Sequence, residues 1–329
     1  MKRKKGFLIF LFFMLSLCFP VQAQQVSAGK TQKTGTVKIC FYDEHGTEYT
    51  NLRKTVRKNA GVSLPGMKNS KEKSFLGWSK TPGKKTGPDY KEGTVIKAGK
   101  NMRLYAVMFD RSLERNVTCK NIQKVNTKKY SKVIFVGDSR TNSMRLALER
   151  DIPKEQLKNT GFAARNGAGL KWFKSDGYGQ LMKEISSTRG KPAAIVFNLG
   201  VNDLKHSGSE ANFDASKVAK TYAAYLKELA GKLQGKNCRL FYMSVNPINE
   251  SMLYKKGSRR ESDIELFNRI LQKELKGKYT FIDTNTWMYE NGFSTGRLET
   301  DIDDGVHYTA KTYKRIYNYC LKRINSASV

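Results

Sequence analysis

Three short motifs in the second half of the chain put reactive side chains where apolar runs end. Gly137-Asp138-Ser139-Arg140 follows the run 132–136 and leads into a helix beginning near Thr141. A serine on a tight strand-to-helix turn exposes its hydroxyl and sets its N–H near a helix N-terminus, which suits a nucleophile that generates an oxyanion. Gly200-Val201-Asn202-Asp203 follows the run 193–199, and an Asn amide at a strand end can donate to such a developing charge. Asp304-Gly305-Val306-His307 stands just before the last helix. An Asp-x-x-His turn can seat the carboxylate against one imidazole nitrogen and leave the other to accept a serine proton. Each motif also has a plain structural reading, Asp or Ser as an N-cap and Asn-Asp as turn chemistry. Their joint occurrence, each at a strand end or helix start, points to nucleophilic serine chemistry.

The elements that must carry these motifs are legible as an alternation. Runs 132–136, 193–199, 239–245 and 279–282 are continuously apolar, as in strands buried on both faces. Between and after them, 214–233, 261–275 and 310–324 carry apolar residues at helical spacing. Strands alternating with helices predict an α/β fold with a parallel sheet covered on both faces, and ligands then bind beyond the carboxyl ends of the strands. Residues 34–109 differ: short β-like runs (36–42, 73–78, 103–109) lie between turn signals, with no amphipathic helix. Residues 24–33 and 110–130 are polar and read as linkers.

With this order of motifs, residues 131–325 resemble the SGNH hydrolases, the GDSL-type esterases and lipases. The first block matches at Gly137-Asp138-Ser139, with Arg140 where the family name has Leu, a departure that looks like a bacterial extracellular subgroup. The third block matches Gly200-Val201-Asn202-Asp203 and the fifth Asp304-Gly305-Val306-His307. The glycine block, Asn166-Gly167-Ala168-Gly169, offers two candidates; Gly169 is preferred because the helix-like 170–173 follows it directly. The resemblance implies a three-layer α/β/α flavodoxin-like domain and ester hydrolysis with no metal and no cofactor. It implies Ser139 as nucleophile, His307 as proton carrier and Asp304 as its orienting carboxylate. The oxyanion is then held by the Ser139 N–H, the Gly169 N–H and the Asn202 side chain. Asp138 and Asp203 are expected to tie down their own turns. Arg140 is expected either to bind an anionic substrate group or to pair with one of those aspartates. Trp172 and Tyr308 flank the motifs and can stack on a sugar ring, with packing as the alternative. Residues 34–109, with Phe75-Leu76-Gly77-Trp78-Ser79 and Leu104-Tyr105-Ala106-Val107, resemble the Listeria–Bacteroides (internalin-type B) repeat, a small β-grasp-like module of bacterial surface proteins. In so small a domain Trp78 and Tyr105 are expected as core aromatics.

Composition sets the context. The chain has 329 residues, 60 Lys+Arg against 29 Asp+Glu and 39% hydrophobic residues, enough for packed domains and against wholesale disorder. A basic start (Lys2, Arg3, Lys4, Lys5), an apolar run over 7–19 and a small residue at Ala23 predict a signal peptide over 1–23. Leu17 before Cys18 argues against a lipoprotein cleavage site. A secreted or cell-surface product without a spanning helix is therefore expected. Losing the four leader charges takes the net charge from +31 to +27, which attracts polyanions such as anionic cell-wall polymers. The lysines are scattered without a nucleic-acid motif, so specific nucleic-acid binding is not expected. Cys40, Cys119, Cys238 and Cys320 permit two disulfides, yet buried free thiols fit their density better. Only three histidines are present, none at metal-ligand spacing. The expected substrate is an acylated, O-acetylated carbohydrate. A surface adhesin with an idle α/β domain, or an O-acyltransferase using the same residues, stands as the alternative.

Overall fold

The computed structural model describes residues 35–70, 73–84, 87–114, 121–206, 213–298, 300 and 302–327. The expected leader (1–23) and tether (24–33), and Cys119, lie outside them. From Thr36 onward the chain is one compact unit, built on two main sheets.

The first sheet comes from the β-rich stretch. Its strands are β1 (Thr36–Tyr42), β2 (Lys54–Arg57), β4 (Lys73–Ser79) and β6 (Met102–Asp110), in the order β2-β1-β6-β4. β1 and β6 are parallel neighbours and the other pairs are antiparallel, the β-grasp-like arrangement expected. β3 (Gly61–Ser63) and β5 (Val95–Lys97) form a separate antiparallel pair. Trp78 is fully buried against Phe41, ring centroids 4.7 Å apart, and its Nε1–H donates to Pro65 O at 2.7 Å. That side chain is a satisfied core residue.

The second sheet holds five parallel strands: β7 (Lys132–Gly137), β8 (Thr160–Ala164), β9 (Ala193–Asn198), β10 (Cys238–Met243) and β11 (Thr280–Ile282). Their order is β11-β10-β9-β7-β8, the flavodoxin-like arrangement whose strand order reverses between β7 and β9. The helices are α1 (Ser139–Asp151), α2 (Lys154–Leu157), α3 (Leu170–Trp172), α4 (Tyr178–Ser186), α5 (Ala215–Lys232), α6 (Glu261–Glu274), α7 (Thr284–Asn291) and α8 (Ala310–Ser326). Ile134, Val136, Ile195, Phe197 and Tyr242 face the layer of α4, α5 and α6. Val133, Phe135, Ala194, Val196 and Phe241 face that of α1, α7 and α8. Each central strand is thus apolar on both sides, the physical origin of the unbroken runs in the sequence. Asp214 caps α5 by accepting from Ser216 N and Lys217 N, and Thr309 caps α8 by accepting from Thr312 N.

The described parts of the segment expected as a linker, 110–114 and 121–130, are instead fastened to the α/β domain. Phe109 stacks on Phe293 at 4.5 Å and meets Tyr289 edge-on. Glu114 is buried, pairs with Arg315 Nη1 at 3.0 Å and accepts from Ser294 and Thr312 hydroxyls. Val125 and Tyr130 join the same core, and Asn318 and Asn325 accept from the backbone N–H of Gln123 and Asn126. The polar composition that suggested a solvated tether serves a hydrogen-bonded strap. Among the described residues Cys40, Cys238 and Cys320 are free thiols. No helix among the described residues is long and apolar enough to cross a membrane.

Candidate active site

The motifs converge at the carboxyl ends of β7 and β9, on either side of the strand-order reversal. Ser139 opens α1, and Asp138 caps the helix by accepting from Arg140 N at 2.9 Å. Buried there, the Asp138 carboxyl is raised above its ordinary range, with the Arg140 charge opposing that shift. Ser139 Oγ lies 2.9 Å from His307 Nε2, and His307 Nδ1 lies 2.7 Å from Asp304 Oδ2. Asp304 Oδ1 accepts from Val306 N and His307 N, both at 2.9 Å, so the turn before α8 wraps its own carboxylate. Gly305 makes that turn with φ +71°, and a Cβ there would meet Asn249 O at 2.4 Å. Arg297 Nε–H donates to Asp304 Oδ2 at 2.8 Å. Partial burial works against ionisation of Asp304, yet the hydrogen bonds from His307, Arg297 and the backbone outweigh it, holding the carboxyl well below its usual range. Asp303 faces elsewhere, accepting from Thr295 Oγ1 at 2.8 Å and Gly305 N at 2.9 Å.

A cleft of about 370 Å³ opens on this line, walled by Ser139, His307, Asn202, Asn142, Asn166 and Gly167 among others. The Asn202 Nδ2–H donates to Ala168 O at 2.9 Å, which holds the amide at the rim of the cleft. A larger depression, about 1120 Å³, lies by the amino ends of β9, β10 and β11, the wrong end of the sheet for chemistry at Ser139.

Several expected site residues have other surroundings. Gly167 is in the cleft wall; Gly169 is not, and packs against Asp203, whose Oδ2 a Cβ at 169 would approach to 2.4 Å. Asp203 bonds its own backbone N–H and also reaches across to Leu170 N and the Tyr222 hydroxyl. Arg140, expected at an anionic substrate group or an aspartate, is 2% exposed and donates from Nη1 to Asn246 O at 2.6 Å and Tyr308 Oη at 3.0 Å. Tyr308 is fully buried, its hydroxyl donating to Pro247 O. The turn that aims His307 outward aims its neighbour inward. Trp172 is 4% exposed beneath the Arg165 guanidinium, beside a second depression of about 410 Å³ that shares Gly167 and Asn202 with the cleft. These three side chains therefore pack rather than present themselves to a ligand. Two residues escaped sequence reasoning. Arg297 touches Asp304, and Arg259 donates from Nη2 to Asn202 Oδ1 at 3.1 Å. Nothing in the sequence separates them from the chain's many surface cations.

Among the described residues no group of three or more His, Cys, Asp or Glu side chains is placed to hold a metal. A family model described as Protein of unknown function (DUF459) matches residues 132–323. No curated protein matches the chain. Among solved structures the chain is similar to the acetyl xylan esterase AlAXEase, at 21% identity and TM-score 0.42 over 59% of this chain and 99% of that one. It is also similar to Axe2, an acetylxylan esterase from Geobacillus stearothermophilus, at 15% identity and TM-score 0.41 over 60% and 96%. A GDSL-like lipase from Bacteroides thetaiotaomicron is similar at 15% identity and TM-score 0.39 over 64% and 94%.

Proposed function

The chain belongs to the DUF459 family, and on that footing we propose that it is a serine ester hydrolase acting on short acyl groups of carbohydrates. The observation that carries this reading is the unbroken line Ser139 Oγ–His307 Nε2–His307 Nδ1–Asp304 Oδ2, at 2.9 Å and 2.7 Å. His307 takes the Ser139 proton as Oγ bonds to the ester carbonyl carbon. The oxyanion so formed meets the Ser139 N–H, the Asn202 amide and the N–H of Gly167, the glycine in the cleft wall. Collapse breaks the bond to the alcohol, which leaves with the proton from His307, and water then releases the acyl group by the same steps. Asp304, held anionic, fixes the imidazole tautomer and stabilises its cation.

The substrate class follows from the lining. Asn142, Ser143, Asn166, Asn202 and Thr300 are polar, and among the described residues Leu146 and Leu298 are the only apolar side chains in the wall. Such a cleft suits an acetyl group on a polyhydroxyl compound better than a long acyl chain. The proposed setting is the bacterial envelope or its surroundings, supported by the leader-like 1–23 and the net charge of +27 without it. The N-terminal sheet is proposed to be a Listeria–Bacteroides-type module retained on anionic wall polymers; its strand order and the buried Trp78 support this. The test is a screen of the purified protein against aryl esters of two to eight acyl carbons and against acetylated polysaccharides, with Ser139→Ala as control. Acetyl esters should be preferred and the serine variant inactive; preference for octanoyl esters would reject the substrate class, and an active Ser139→Ala the mechanism.

A further inference from the structure

We propose that Arg259 is the positioning residue that holds the Asn202 amide with its N–H side toward the reaction centre. This rests on the hydrolase reading, since it concerns the donor that meets the oxyanion. Arg259 precedes α6 and is half-buried. Its Nε–H donates to Val201 O at 3.0 Å and its Nη2–H to Asn202 Oδ1 at 3.1 Å. One planar guanidinium thus spans a backbone carbonyl and the adjacent side-chain carbonyl, a two-donor fit that an ammonium cannot copy. On its other side the Asn202 amide gives one N–H to Ala168 O at 2.9 Å, leaving a second N–H at the rim of the cleft that Asn202 shares with Ser139 and His307.

The two contacts enforce one orientation. Turning the amide over would set its NH2 against the guanidinium and its oxygen against the Ala168 carbonyl, donor facing donor and acceptor facing acceptor. Without Arg259 only the Ala168 contact selects the correct face, and water can bond either end of the amide. Burial lowers the pKa of Arg259, and the nearby Arg140 charge adds to that, while Asp138 and Asp304 counter it. The guanidinium therefore sits among the charges of the site.

Losing an oxyanion donor outright costs about 10²–10³ in turnover, so Arg259→Met should cost part of that, about 10–100-fold in kcat, with KM little changed. In an Asn202→Ala background the same substitution should cost less than about twofold, because nothing remains to orient. Arg259→Lys keeps the charge but not the fork and should resemble Arg259→Met. An equal loss in the Asn202→Ala background, or full rescue by lysine, would overturn the proposal. A readout independent of turnover is the pair of Asn202 side-chain amide proton signals by NMR. They should be sharp and slow to exchange in the wild type and broadened in folded Arg259→Met. Unchanged signals there would refute the positioning role. If wild type proved no more active than Ser139→Ala, the hydrolase reading would fall, while the amide signals would still decide whether Arg259 holds Asn202.

Discussion

Replacing Asp304 by Asn should abolish activity while leaving the fold intact, whereas the same change at Asp303 should be nearly silent. All four groups bonded to the Asp304 carboxylate are donors: His307 Nδ1 and Arg297 Nε on Oδ2, Val306 N and His307 N on Oδ1. An asparagine must set its NH2 against one of these pairs. Backbone N–H groups cannot become acceptors, so the NH2 goes to the Oδ2 side. Arg297, more than half exposed, can swing away, and His307 can turn its Nδ1 into an acceptor. That switch puts the imidazole proton on Nε2, facing Ser139, where no second proton can be taken. A wrong-tautomer triad of this kind loses about 10⁴ in kcat, roughly 5 kcal/mol of barrier. At Asp303, an asparagine oxygen can keep the Gly305 N–H while its NH2 donates to the Thr295 hydroxyl, which simply rotates. Its turnover should stay within about threefold, since no donor is left facing a donor. The assay is 4-nitrophenyl acetate hydrolysis with thermal melts as the folding control. An Asp304→Asn enzyme within tenfold of wild type, or an equal collapse at Asp303, would refute the reasoning.

Glu261 is buried at the start of α6, and burial pushes its carboxyl up to about 7 against the hydrogen bonds from Ile248 N and Asn285. The folded state therefore holds a proton that the unfolded chain has lost, so the Glu261 contribution to stability falls as pH rises from about 4.5 to about 7. Glu261→Gln should flatten that slope; parallel melting curves of the two across pH 4.5–8 would contradict it. Phe109→Ala should destabilise the protein by about 3–5 kcal/mol in denaturant titrations, because the ring is 4% exposed between Phe293 and Tyr289; a loss under 1 kcal/mol would mean that the N-terminal sheet is not docked there. Retention on isolated cell walls should fall steeply between 0.1 and 1 M salt, as the Debye length drops from about 10 to about 3 Å, while small-ester turnover holds. Salt-independent retention would favour specific recognition instead.

What the sequence discloses tracks what is local. The Ser139, Asn202 and His307 positions could be read because each follows an apolar run or opens a helix, and chain geometry fixes where strand ends lie. The strands themselves were legible because residues such as Ala194 and Ile195 are buried on opposite faces of one strand. β8 was not, since Thr160-Gly161-Phe162-Ala163-Ala164 is short and mixed, and its place beside β7 is decided by packing. Arg140, Trp172 and Tyr308 each admitted two readings in the sequence, because adjacency in sequence does not fix side-chain direction. Arg259 is 57 residues from Asn202 in sequence, and only the fold makes them neighbours. The strap at Glu114 was hidden for a related reason: a carboxylate in a stretch rich in Lys and Arg looks solvated until Arg315 is seen across from it.

The central claim is that His307 and Asp304 activate the Ser139 hydroxyl, and a fluorophosphonate probe reads this directly. An activated serine displaces fluoride from phosphorus and keeps the phosphonyl group as a stable adduct. Mass spectrometry of the wild type should show one adduct, on the peptide containing Ser139, lost in Ser139→Ala and strongly slowed in His307→Ala. No adduct on the wild type, or the same labelling of Ser139→Ala, would contradict the account.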